Sequence, residues 1–317
     1  MLIRLSSIAK SGGMDVEPFI TASSRETLRD TELIVHGGTE SVANAADETH
    51  PGSFELKHDG ELFFTGAGWR FETSSGEEIP SNQSEATSLS SDGKRLPAGI
   101  IRMFRQPEEN VHIIRAAMVG LYGKPLLKAE RTWVMAMPHT MFIMDRVLAD
   151  SPLKVHSDFE LNNGDHRLTT KVAAETKLVL RRNAAGMKFF QVCALSGGTD
   201  NGSKLSIQIG PRNDLGHPYR SFSAEDRPPL EVPASRIRYA SSQYRTDHVI
   251  VYAASMDGTD EIRDWHIIPI TDRHFHVEPP AKSGGYSLEL AERDAVIFRN
   301  HSEGRAYLVH EDVCSTL

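Results

Sequence analysis

His50 lies between the polar run Ala46–Thr49 and Pro51, just ahead of the alternating stretch "GSFELKHDGELFFTG". Its ordinary pKa is near neutral, so an imidazole there can act as an acid–base group or a metal ligand. Glu48, two residues earlier, adds a carboxylate. Without further context a solvated turn residue is the commoner reading of such a histidine. A second candidate set is Trp69-Arg70-Phe71. An aromatic ring stacks on a sugar face, and an arginine grips a carboxylate with two parallel hydrogen bonds. Core packing beside an edge charge explains the same triplet. A third is "RHFHVE", 273–278. In a strand His274 and His276 share a face about 7 Å apart. Two imidazoles can hold zinc, but a catalytic site needs a third ligand, and the pattern supplies none.

The elements that must position these groups read as β. "TELIVHGG" (31–38) ends on a Gly-Gly turn, and two alternating runs meet across Asp59-Gly60, a strong hairpin signal. From residue 110 onward short β-branched or aromatic runs follow one another, punctuated by Asn-Gly, Gly-Asp and Ala-Gly turns. No long amphipathic helices alternate with them, which argues for an antiparallel sandwich over an α/β fold. The expectation is an all-β chain: a large antiparallel multi-sheet β-sandwich with a C-terminal sheet extension. Residues 1–30 form an N-terminal segment, irregular or with a short helix opened by the capping-box pattern Ser23–Glu26. Residues 31–235 form the main sandwich. The proline-rich stretch 217–235 marks a break, and 236–317 form a C-terminal sheet packed on it. The polar stretch 72–98 reads as a long loop.

Composition limits the function. The chain has 317 residues and a net charge of −8, which does not suggest a nucleic-acid partner. A local basic cleft could still take an acidic polysaccharide. Two cysteines, Cys193 and Cys314, make no disulfide framework and have no metal-type spacing. No stretch approaches the roughly 20 apolar residues of a membrane helix. The N-terminus has no continuous apolar segment of signal-peptide type. Either the protein is cytoplasmic or the chain lacks its natural N-terminus, so its compartment stays open. No phosphate loop, nucleophile elbow or HExxH pattern is present.

The stretch "ETHPGSFELKHDGELFFTGAGW", followed by "SEATSLSSDGKRLP", resembles the C-terminal β-sandwich of heparinase II/III-like polysaccharide lyases. The matching features are His50 in a turn, Ser53-Phe54 opening a strand, the hairpin Asp59-Gly60, and the later pair Asp92-Gly93. Downstream, Arg131, Asp145-Arg146-Val147, Phe159 and Leu161 follow the same order. The resemblance covers residues 30–317 and rests on short motifs.

The resemblance implies cleavage of uronate-containing glycans by β-elimination. A base removes the C5 proton, polar groups neutralise the uronate carboxylate, and an acid protonates the leaving oxygen. In the family most of these groups lie on an N-terminal α/α toroid. The sandwich contributes a histidine and in some members holds a structural zinc. This chain departs from that pattern. About 30 residues precede its first sandwich strand, too few for helices of ~11–12 residues each. Glu48 stands where a paired histidine is often found. Of the zinc set only His50 matches, with Thr65 at the likely aspartate position and Ala86 at the second histidine position. One ligand does not close a zinc site.

The expectation is therefore a lyase-derived module, inactive as an isolated chain unless a toroid domain or chain completes the cleft. His50 and Glu48 would then face that cleft as catalytic groups, and Trp69 and Arg70 would line it. His50 would mark a degenerate, unoccupied metal position, with no cofactor. The alternatives are a non-catalytic carbohydrate-binding or structural sandwich, and an unrelated sandwich that shares these motifs by accident.

Overall fold

The runs "TWVMAM" (132–137), "MFIM" (141–144) and "VIVYAAS" (249–255) are apolar without alternation. A strand can be apolar on both faces only if both faces are covered. The computed structural model satisfies this with three stacked β layers. It describes residues 19–25, 30–36, 52–79, 100–209, 219–221, 231–281, 283–292 and 295–317.

These runs lie in the middle layer. Its neighbours, in spatial order, are Ile100–Glu108, Val111–Ala117, Leu126–Ala136, the first half of Thr140–Leu161, Arg245–Gly258, Ala185–Ser196, Lys177–Arg182, Leu168–Ala174 and Glu231–Val232. All pairings are antiparallel. One face carries Trp133, Met141, Ile143, Phe189 and Tyr252 toward the first outer layer. The other carries Val134, Phe142, Val251 and Ala253 toward the C-terminal sheet.

The first outer layer runs Phe19–Arg25, Asp30–His36, Phe54–His58, Glu61–Thr73, the second half of Thr140–Leu161, Ala234–Ser241, Ser203–Ile209 and Tyr219–Ser221. One long strand, Thr140–Leu161, therefore belongs to two layers. Residues up to Ala149 pair with Leu126–Ala136, and residues from Leu153 pair with Glu61–Thr73. Between them Asp150, Ser151 and Pro152 are exposed. Pro152 has no N–H for a ladder bond, which suits it to the crossing point.

The C-terminal layer is a six-stranded meander, His266–Pro269, His274–Glu278, Tyr286–Leu290, Val296–Asn300, Arg305–His310 and Val313–Thr316. Its inner residues Phe275, Val277, Leu288, Phe298 and Tyr307 complete the second apolar layer. Helix is confined, among the described residues, to the turns Val119–Tyr122 and Glu261–Asp264.

The all-β, multi-sheet expectation matches this architecture. The hairpin at Asp59-Gly60 forms as read, with both residues at positive φ, 51° and 75°, the geometry that suits a two-residue connection between twisted strands. Two details differ. Phe19–Arg25 is a strand, so a helix does not open across Ser23–Arg25. The last sheet begins at His266, not at 236, because Ala234–Ser241 and Arg245–Gly258 both pair with the long strand. Of the proline-rich stretch 217–235, the described residues Tyr219–Ser221 pair in the first outer layer and Glu231–Val232 in the middle layer.

Candidate functional site

Of the sequence-derived site residues, Glu48, His50 and Ala86 lie outside the described residues. Trp69 and Arg70 are adjacent on the strand Glu61–Thr73 and therefore point to opposite faces. The structure separates their roles accordingly.

Trp69 points inward and is 5% exposed. Its Nε1–H donates to Asp145 Oδ2 at 2.8 Å, and the Arg131 guanidinium carbon sits 4.9 Å from the ring centre. Phe71 packs 6.0 Å away, centre to centre. No face of the indole is left for a sugar. Trp69 is a core residue that bridges the layers, and the expectation that it lines a cleft is corrected.

Arg70 points outward, into a charged lattice that three neighbouring strands build in register. Gly66, Glu160 and Arg236 form one row, Gly68, Asp158 and Arg238 the next, and Arg70, His156 and Ala240 the third. Each strand alternates these groups with buried residues: Ala67, Trp69 and Phe71; Val155, Ser157 and Phe159; Ile237 and Tyr239. Alternation of period two thus delivers every charge to one face. Gly66 and Gly68 leave the floor of the lattice without side chains. A Cβ at Gly68 would meet nothing within 4 Å.

Asp158 is the centre of the lattice and is 9% exposed. Arg238 grips it with two bonds, Nε–Oδ1 at 2.6 Å and Nη2–Oδ2 at 2.9 Å. Arg70 adds Nε–Oδ2 at 3.1 Å and reaches Glu78 Oε1 at 3.2 Å with Nη1. Arg236 pairs with Glu160 at 2.7 Å. Burial pushes the Asp158 carboxyl up to about 6, against the pull of Arg70 and Arg236.

At the next row Glu72 accepts from the Tyr244 hydroxyl and lies 3.4 Å from His156 Nε2. The Tyr244 bond holds the Glu72 carboxyl below its ordinary range, despite some burial. Burial lowers the His156 imidazole, so it stays neutral near pH 7. The Lys154 ammonium lies 4.5 Å from the centre of the Tyr244 ring.

This face can do two things chemically. Its guanidiniums are fixed by carboxylates on an outward-facing strand surface, a geometry suited to planar anions such as carboxylates and sulfates. It also gathers a neutral imidazole, a phenol and a carboxylate within hydrogen-bonding reach. Glu72, His156, Asp158, Arg236, Arg238 and Tyr244 were missed in the sequence reading. The signal was the period-two charge in "KVHSDFEL" and "SRIRY". Thr65 stands on the same strand as Arg70, and its buried hydroxyl has no hydrogen-bond partner among the described residues. His274 and His276 lie on the outer face of the C-terminal sheet, with His276 5.0 Å from His301, ring to ring. Among the described residues no three His, Cys, Asp or Glu side chains are grouped closely enough to hold a metal ion.

No protein-family profile matches the chain, and no curated protein matches it. Solved structures do. A heparinase III gene product aligns with TM-score 0.50 at 11% identity over 94% of this chain and 41% of its own. The heparan sulfate lyase HepC from Pedobacter heparinus aligns with TM-score 0.49 at 11% identity, over 94% and 40%. Another heparinase III gives 0.46 at 13% identity, over 94% and 41%. At such identity the likeness is one of fold. The chain shares the fold of the first of these heparinase III structures, and it spans about two fifths of the length of the lyases it matches.

Proposed function

We propose that this chain is the β-sandwich module of a heparinase II/III-like polysaccharide lyase and that it binds uronate-containing glycans on the face around Arg70. Elimination requires an α/α-toroid domain or chain that completes the cleft. The observation that carries the reading is the convergence of Arg70 and Arg238 on Asp158 in an outward, glycine-floored lattice. The likeness of fold supports it.

In this reading the arginines neutralise the uronate carboxylate, which lowers the cost of charge that develops when the C5 proton leaves. His50 and Glu48 keep their proposed place at the cleft. The test is the ultraviolet absorbance of the 4,5-unsaturated uronate product. Incubation of this chain alone with heparan sulfate leaves the absorbance flat. Addition of a toroid-bearing chain, or extension of the frame to include one, makes it rise. Product from the chain alone would overturn the requirement for a partner.

The second reading is a non-catalytic carbohydrate-binding module. It is favoured by the charge balance of the lattice: Arg70, Arg236 and Arg238 are each already paired with a carboxylate. Glycan binding without unsaturated product under every pairing supports this reading over the first.

A further inference from the structure

The middle layer and the C-terminal sheet diverge at one end of the apolar contact between them. Met144 and Leu195 are buried there, but Val249 and Leu290 stay half-exposed. A cavity of about 280 Å³ opens at this point, on the opposite side of the middle layer from the Arg70 lattice. Met144, Leu195, Val249 and Leu290 give it apolar walls, and among the described residues no aromatic ring lines it, so it offers a sugar no stacking.

The mouth carries charge of two kinds. Arg146 pairs with Asp247, and its Nη1 also donates to the carbonyls of Val147 at 3.3 Å and His248 at 3.2 Å. That arginine is committed to the wall. Arg273 is different. Among the described residues its Nη2 donates only to the Gly198 carbonyl, at 3.4 Å, and it forms no ion pair. A guanidinium has five N–H donors, so most of this one is unused among the described residues. Gly197 and Gly198 turn at φ 56° and 81°, and a Cβ at Gly198 would meet Arg273 Nη2 at 3.0 Å. The glycine lets the guanidinium lie along the turn, over the opening. Glu292 is exposed and also lines the opening.

An available cation above an aliphatic pocket selects an anion with an apolar body. We propose that this cavity binds a small monocarboxylate, its carboxylate on Arg273 and its hydrocarbon against Met144, Val249 and Leu290. The site shares no residue with the glycan face and stands independently of it.

The test titrates 3-phenylpropionate into the protein while the methyl NMR signals are followed. Saturable shifts at Met144, Val249 and Leu290 are expected. Arg273→Gln, a surface change, weakens binding about tenfold or more, the scale of a charge-assisted hydrogen bond. Val249→Trp fills the space and abolishes binding, and the same spectra confirm that both variants are folded. L-phenylalanine in parallel identifies the source of the carboxylate. Tighter binding than 3-phenylpropionate means that Glu292 holds an ammonium and the ligand is an amino acid. Weaker binding means a plain carboxylate. Absence of saturable shifts, shifts confined to other methyls, or unchanged affinity in Arg273→Gln would overturn the proposal.

Discussion

Arg131 and Asp145 sit directly opposite each other on adjacent middle-layer strands and form a two-pronged ion pair, Nε–Oδ1 at 2.6 Å and Nη2–Oδ2 at 2.8 Å. They are 1% and 0% exposed. Trp69 and Ser157, from the first outer layer, both donate to the same Asp145 Oδ2, at 2.8 and 3.1 Å. The pair thus ties two layers together through the core.

Breaking this pair from one side leaves an uncompensated buried charge, at a cost of about 3–5 kcal/mol. Asp145→Asn and Arg131→Met should each lower unfolding stability by that order, and the double variant should cost less than the two losses added. Trp69→Phe removes one hydrogen bond to the carboxylate and should cost about 1.5–3 kcal/mol. Denaturant titration measures all four. Additive losses in the double variant would deny the coupling.

His112 is 1% exposed, stacked at 6.3 Å on Phe104, with both ring nitrogens lacking hydrogen-bond partners. Burial pushes its pKa down to about 4. The unfolded chain takes up this proton near pH 6.5, before the folded one does. Stability from the neutral ring is therefore complete above about 6.5 and is lost as pH falls toward 4. The window spans about 3 kcal/mol. His112→Phe should flatten the acid limb of the stability–pH curve there. An unchanged limb would show that this ring does not titrate as argued.

Asp158 runs the other way. Burial raises its carboxyl to about 6, above the ordinary value of 3.8. Its burial cost is absent below the unfolded value and fully present above about 6, so on this account alone stability falls as pH rises between them. Carboxyl-carbon NMR should place its midpoint near 6. Arg70→Gln should move the midpoint up, since it removes a charge that opposes the shift.

Gly60 has φ 75°, and a Cβ there would touch nothing within 4 Å. Gly60→Ala therefore tests the backbone alone. It should cost about 1–2 kcal/mol, the steric cost of a left-handed L-residue. No measurable loss would mean that the turn relaxes to another type.

The layers were legible in the sequence where alternation and turn chemistry agree locally, as in the hairpin at Asp59-Gly60. The break at 236 was misplaced because a local proline-rich composition does not encode sheet membership, which depends on partners far away. The strand Arg245–Gly258 is claimed by residues 140–153 and 185–195, and no local pattern encodes that pairing. Core packing beside an edge charge was readable for Trp69-Arg70-Phe71. The partner that fixes Trp69 in the core was not, since Asp145 lies 76 positions away. The lattice around Asp158 needs three strands in register, and only the period-two charge of each was visible beforehand.

The most direct measurement is calorimetric titration of the chain with heparan sulfate, with neutral dextran as the control. Saturable binding of the acidic glycan is predicted, weakened about tenfold or more in Arg70→Gln and Arg238→Gln, with Trp69→Phe changing affinity by about twofold at most. Absence of binding, equal binding of dextran, or undiminished affinity in both arginine variants would contradict a glycan face at Arg70.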